Sequence, residues 1–320
     1  MKDKNALARV ILWAVIVVIL CGAFAGVLLR DCRKKDAEEP AVPSVSAALS
    51  QENTGSTADN TPATSDNFSG KENMQLPDSS EPVRISVSEI SRIEVDWLSG
   101  SVTVQRADGD SIEFSEDYQG EEKYRLRYSV ENGVLHIQVC QSGTILNIPE
   151  KALTLSLPDA LYQELKLSVG SAKLTLSDVR ANELELDSIS GGMELDRIEA
   201  SELQIDTTSG SVRARSLTVS ELEVSSISGD AELEGTFDSV DAEMTSGSVS
   251  LTAASLPHEI DVSTISGNVT LTLPKDSAFL YEFDTLSGRL TNSLPNAASG
   301  SDAAVEIDTT SGSLTLQPLD

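Results

Sequence analysis

The chain is poor in the residues that catalysis and nucleic-acid recognition draw on most. Two histidines, three cysteines, two tryptophans and 23 lysines and arginines are spread over 320 residues that hold 51 aspartates and glutamates, and the formal net charge is −28. A surface this acidic repels phosphate backbones and anionic lipid, which excludes nucleic acid as a ligand and favours cations or basic partners. Cys21, Cys32 and Cys140 cannot frame a disulfide-stapled fold, and no Cys-x-x-Cys spacing points to a metal. Cys21 follows Leu20 where a lipoprotein signal wants a small residue, so lipidation there is not expected; Cys32, beside an apolar run, could be acylated but reads as an ordinary thiol.

Charge is missing altogether between Val10 and Leu29, twenty residues bounded by Arg9 and Arg30. At about 1.5 Å per residue such a helix crosses the roughly 30 Å hydrocarbon core of a bilayer. Ala23-Phe24-Ala25 resembles a signal-peptide cleavage site, but the apolar run continues to Leu29 and meets a basic stop cluster at Arg30, Arg33, Lys34 and Lys35. Residues 1–35 are therefore expected to be an uncleaved single-pass cell-membrane anchor. Basic residues nearly balance across it, and long C-terminal domains translocate largely regardless of charge. The large domain is expected outside the cell.

Residues 36–80 lack almost everything a core needs: Phe68 is the only aromatic and Lys71 the only base. Such a segment cannot offset its ordering entropy and should be a disordered tether between the anchor and a domain spanning 81–320. That domain carries 15 Lys and Arg against 41 Asp and Glu, so the acidity is concentrated there.

What the domain has in abundance is repetition. Ser-Gly pairs recur at Ser190, Ser209, Ser228, Ser246, Ser266, Ser287 and Ser311, spaced 18 to 24 residues apart, with an outlying copy at Ser99-Gly100 and a worn one at Val169-Gly170. Aligned on the serine, apolar columns stand six and four residues before it (Leu203 and Ile205 in one copy) and three and five after it (Val212 and Ala214). Period two on both sides of a glycine reads as strand, corner, strand with alternate side chains inward. A unit of this length forms one coil of an all-β, single-stack β-solenoid, the strict repeats covering about 181–320 and residues 81–180 supplying an N-terminal β cap. Each coil buries at least four apolar side chains, at about 1.5–3 kcal/mol each before entropy. The glycine is expected at a corner that needs positive φ or close backbone approach, and the serine in a hydroxyl ladder beside it. Seven copies without a partner base argue against a catalytic serine.

Taken together, the run from Ile93 to Val104 (Ile-Glu-Val-Asp-Trp-Leu-Ser-Gly-Ser-Val-Thr-Val), the Leu-x-Leu-Pro segment ending at Pro158 and the serial Ser-Gly copies resemble the bacterial putative-adhesin domain of unknown function, a β-strand-repeat family of surface and envelope-stress proteins. The resemblance covers about residues 83–318. It implies a β-solenoid and an envelope role, and carries no catalytic residues across.

Acidic columns are not something the fold requires. Five residues before the serines stand Glu94, Glu185, Gln204, Glu223, Asp241, Asp261, Glu282 and Glu306; three before them stand Asp96, Asp187, Asp206, Ser225, Glu243, Ser263, Asp284 and Asp308. Both columns face outward on one strand, where directly opposed like charges destabilise a sheet. Such a face either keeps the domain solvated and unaggregated or forms a ladder of oxygen ligands for Ca²⁺ or a cationic partner. No cofactor is otherwise implied. An enzyme acting on polysaccharide would need paired carboxylates with a base on one face, and Arg197, Arg213, Arg215, Lys275 and Arg289 share no column. The reading is a non-enzymatic, adhesin-like binding module for an envelope or protein ligand. An envelope-stress sensor using the repeat as a scaffold is the alternative, which a cytoplasmic domain would favour.

Overall fold

The computed structural model describes residues 74–77, 81–142, 148–294 and 303–319. The anchor at 10–29 and nearly all of the linker lie outside the described residues. Residues 74–77 of the linker are held: Gln75 forms an antiparallel bridge with Tyr128, and Arg125 donates to the carbonyl of Pro77 (3.3 Å). Among the described residues no helix is long and apolar enough to cross a membrane.

Period-two burial becomes strand almost everywhere. The described residues form one 19-stranded sheet, with helix confined to two 3-10 turns. The first strands are β1 (Val83–Ser86), β2 (Arg92–Trp97), β3 (Gly100–Ala107), β4 (Ser111–Glu116), β5 (Arg127–Glu131), β6 (Val134–Gln138), β7 (Lys151–Pro158) and β8 (Tyr162–Val169). Four long strands follow: β9 (Lys173–Ser188), β10 (Met193–Thr207), β11 (Val212–Ser228) and β12 (Ala231–Ser246). The last are β13 (Val249–Ala253), β14 (Glu259–Ser266), β15 (Val269–Pro274), β16 (Leu280–Ser287), β17 (Leu290–Asn292), β18 (Ala304–Ser311) and β19 (Leu314–Leu319).

From β8 to β12 the chain stacks coil on coil in parallel register, as in Leu203↔Leu222 and Leu222↔Val240. Each long strand bends around three inward-facing runs. In β10 these are Met193 and Leu195, then Ile198 and Ala200, then Leu203, Ile205 and Thr207, all buried. The first bend is made by a residue in left-handed conformation at the same place in three coils: Asp178 (φ 57°), Arg197 (φ 54°) and Ser216 (φ 55°). That bend breaks the period of two, which is why the middle run escapes the sequence columns.

Spatial order departs from chain order at both ends. On one side of the coils β2 is inserted between β6 and β8, and β3 between β7 and β9. At the other end β18 lies between β14 and β16, and β19 between β15 and β17. The last Ser-Gly copy in sequence is thus the penultimate layer in space. Antiparallel strands close the first end, with β4 against β7, β1 against β4 and β5 against β6.

The glycine column holds for a steric reason. A Cβ on Gly191, Gly210, Gly247, Gly267 or Gly312 would meet the carbonyl oxygen of the layer below at 1.7–2.1 Å, so close backbone approach governs these positions. The worn copy is corrected. Val169 pairs with Ser188, and Ala172 supplies the carbonyl beneath Gly191, so Ser171-Ala172, and not Val169-Gly170, occupies the Ser-Gly position. The hydroxyl ladder also shifts. Ser209 does donate to the Ile189 carbonyl (3.2 Å), but at Gly191 and Gly210 the corner is served from the buried column two residues before the serine. There Ser188 donates to the Gly191 carbonyl (2.9 Å), and Thr207 accepts from the Gly210 N–H (2.9 Å) and donates to its carbonyl (3.4 Å).

A lysine fixes the first end. Lys151 is buried, and its Nζ donates to Glu116 and to the carbonyls of Tyr124 (2.5 Å) and Val139 (2.6 Å), which uses all three ammonium protons. The ammonium lies 4.9 Å from the ring centroid of Trp97, whose indole N–H donates to the Lys151 carbonyl (3.1 Å). Cys140 is buried nearby, and burial pushes its thiol pKa up.

Candidate acidic face

The outward positions of the strand before each Ser-Gly corner stack in register, about 4.8 Å apart. One column runs His136, Glu94, Lys166, Glu185, Gln204, Glu223, Asp241, Asp261, Glu306, Glu282. Its neighbour runs Gln138, Asp96, Ser168, Asp187, Asp206, Ser225, Glu243, Ser263, Asp308, Asp284. All eleven expected ladder residues therefore share one face, with one change of order: Asp261 faces Glu306, and Glu282 ends the column.

The ladder is not uniform. Near the first end bases enter it. His136 Nδ1 lies 2.7 Å from Glu94, and Lys166 pairs with Glu185 and reaches Asp187 at 3.8 Å. Ser168 donates to Asp187 (2.9 Å) and Gln204 to Asp206 (2.8 Å). Burial still pushes the Asp187 pKa up against its partners. Beyond Gln204 the bases stop. Among the described residues no ion pair reaches Glu223, Asp241, Glu243, Asp261, Glu282 or Glu306.

Electrostatics follow the stacking. Partial desolvation by neighbours in the stack, with the Asp241 charge second, pushes the exposed Glu223 up; the same desolvation, with Glu259 second, raises Asp241. Glu243 and Glu306 are raised for the same reason, desolvation first and neighbouring carboxylates after. Asp261 is the extreme: burial first, then the charges of Asp241, Glu306, Asp308 and Glu259, push it up to about 7. Among the described residues no group of three or more acidic, histidine or cysteine side chains is disposed to hold a metal ion. The carboxylates run in parallel lines along the stack.

Two components went unnoticed in the sequence. A third acidic column, seven residues before the serines, holds Glu164, Glu183, Glu202, Glu221 and Glu259; one more step of two along the same alignment finds it. Lys166 was missed because β8 lacks a Ser-Gly pair, although Leu165-Lys166-Leu167 aligns with Leu184-Glu185-Leu186.

Comparison with known proteins gives the fold a family. The Toastrack DUF4097 family profile matches residues 90–317. No curated protein matches. Solved structures that align include a putative lipid binding protein from Parabacteroides distasonis ATCC 8503, at 16% identity over 75% of this chain and 98% of that chain (TM-score 0.49). A putative adhesin from the same organism aligns at 14% identity over 74% and 96% (TM-score 0.44). A putative adhesin from Bacteroides fragilis NCTC 9343 aligns at 14% identity over 78% and 98% (TM-score 0.40). With its parallel coils, its glycine column and a profile match over most of its length, the chain belongs to the Toastrack DUF4097 family.

Proposed function

We propose that this is a non-enzymatic binding module, a single-stack β-solenoid tethered to the cell membrane through residues 10–29 with the repeat domain outside. Its acidic face takes a cationic ligand: a basic segment of an envelope partner, with Ca²⁺ or other divalent cations competing for the same carboxylates. The observation that carries this reading is the run of Glu223, Asp241, Asp261 and Glu306, stacked layer on layer without a base among the described residues, while farther down the same column Lys166 pairs with Glu185 and His136 lies against Glu94. A strand face that repels itself gains free energy when a cation is supplied from outside.

The test is binding of fluorescently labelled octalysine to the full chain in detergent. Binding is expected at about 20 mM NaCl and should weaken at least about tenfold by about 200 mM, because exposed charges are screened over a Debye length of about 8–10 Å. Millimolar Ca²⁺ should compete, and the variant Glu223→Gln/Asp241→Asn/Asp261→Asn should bind several-fold more weakly. Absence of binding at low salt, or equal binding by the triple variant, overturns the reading.

A further inference from the structure

The two ends of the stack are finished differently. At the first end antiparallel strands and the buried Lys151 close the core. At the other end the last layer is β16 with the three-residue β17, and among the described residues nothing pairs with the outer edge of β16. The core columns simply stop there. Tyr281 and Phe283 continue the columns of Val305 and Ile307, which are buried one layer below. Tyr281, at an inward position, is 37% exposed and Phe283 is half-buried, where Val305 and Ile307 are buried; Leu280 (53%) and Leu286 (77%) add exposed apolar surface at outward positions of the same strand. An open sheet edge with apolar side chains is a template for another strand.

The chemistry of the edge says which strand. Inward positions offer Tyr281 and Phe283; the outward positions on either side of Phe283 are Glu282 and Asp284, directly above Glu306 and Asp308. A next strand that pairs here needs apolar residues at alternate positions and cations at the intervening ones. The same column already contains such a solution in Lys166, seated between Glu94 and Glu185. The chain's own sequence does not offer it: residues 295–302 (Pro-Asn-Ala-Ala-Ser-Gly-Ser-Asp) and residues 36–73 lack any alternation of apolar and basic residues. A second copy paired through this edge would bring Glu282 and Asp284 against acidic residues of the same strand, which is destabilising.

We propose that the outer edge of β16 is a strand-addition site for an extended segment of a partner protein in which apolar side chains alternate with lysine or arginine. The site is distinct from the broad acidic face, since it uses backbone groups and the open core as well as charge.

The probe is a labelled peptide of alternating valine and lysine, Val-Lys-Val-Lys-Val-Lys-Val, titrated against the full chain in detergent. A peptide of the same composition with its valines and lysines in separate blocks, and a valine-glutamate peptide, serve as comparisons. The alternating peptide should bind at least about tenfold more tightly than either, and backbone hydrogen exchange should slow across 280–287. Glu282→Lys/Asp284→Lys should weaken it at least about tenfold, whereas Glu234→Gln/Asp238→Asn, on exposed positions of β12 outside the acidic columns, should change it less than about twofold. Both substitution pairs lie on exposed strand positions, and circular dichroism checks their fold. The proposal is overturned by any of the following results: no binding, equal binding of the blocked peptide, protection confined to strands other than β16, or greater sensitivity to Glu234→Gln/Asp238→Asn than to Glu282→Lys/Asp284→Lys. A self-associated chain that Glu282→Lys/Asp284→Lys dissociates would give the edge to a second copy and overturn it as well.

Discussion

Gly210 lies so close against Gly191 that a Cβ on Gly210 would come within 2.1 Å of the Gly191 carbonyl oxygen. The contact is backbone on backbone, so no side chain can swing away to relieve it. Gly210→Ala should therefore force the two layers apart and destabilise the domain by about 2–4 kcal/mol. Gly192, beside Gly191 in sequence, has only the Ser211 carbonyl within reach of a Cβ, at an ordinary 3.6 Å. Gly192→Ala should leave stability within about 0.5 kcal/mol. Paired denaturation curves separate the two, and equal losses would show that the column has room.

The buried hydroxyl column makes a contrasting pair. Thr207 both accepts from and donates to the backbone of Gly210, whereas the hydroxyls of Thr264 and Thr309 have no hydrogen-bond partner among the described residues. Removing a used hydroxyl leaves the glycine N–H unsatisfied, so Thr207→Val should cost about 1–2 kcal/mol. Thr264→Val and Thr309→Val keep the shape and remove a buried polar atom that contributes nothing. Their unfolding free energies should be unchanged or slightly higher, which chemical denaturation would read.

At the first end the pair Lys151 and Glu116 is the test of how the cap is held. Glu116 also accepts from the Leu126 N–H (2.8 Å), so the carboxylate is built into the backbone of the cap. Lys151→Met leaves that buried carboxylate with only the Leu126 N–H and the more distant Arg125 (3.8 Å) and should destabilise by about 3–5 kcal/mol. Adding Glu116→Gln removes that charge and should recover part of the loss. A double variant as unstable as the sum of the two singles would mean the two groups do not act together.

The acidic face gives a pH dependence with a definite sign. Asp261 is raised from 3.8 to about 7 in the folded chain, so the folded state binds the proton more tightly than the unfolded one. Its contribution to stability is complete below about pH 4 and is lost as pH rises through about 7. Glu223, Asp241, Glu243 and Glu306 are displaced in the same direction. The melting temperature should rise as pH falls from about 8 to about 5, and Asp261→Asn should flatten part of that rise. A melting temperature that falls over this window contradicts the burial and repulsion described for the face.

Much of the architecture could be read from residue spacing because the physics that builds it is periodic. Leu203, Ile205, Val212 and Ala214 mark the inward faces by alternation alone, and Gly210 marks the corner. Ile198 and Ala200, equally buried, were hidden because the left-handed turn at Arg197 shifts the phase of the alternation. The placement of β18 below β16 could not be read either. Ser287 and Ser311 carry the same motif, and nothing in their spacing of 24 residues says which layer is outermost. The acidic face was legible as columns, but which end carries partners for its carboxylates depends on Lys166 and His136, whose places come from strands without the motif.

The most direct test of the self-repelling face is the melting temperature of the full chain at about pH 8, followed from about 10 mM to about 500 mM NaCl, beside Glu223→Gln/Asp241→Asn/Asp261→Asn. Salt screens like charges within the face, so the wild-type melting temperature should climb with ionic strength, and the triple variant should start higher and climb less. Parallel curves for the two proteins, or a wild-type curve that stays flat, would contradict it.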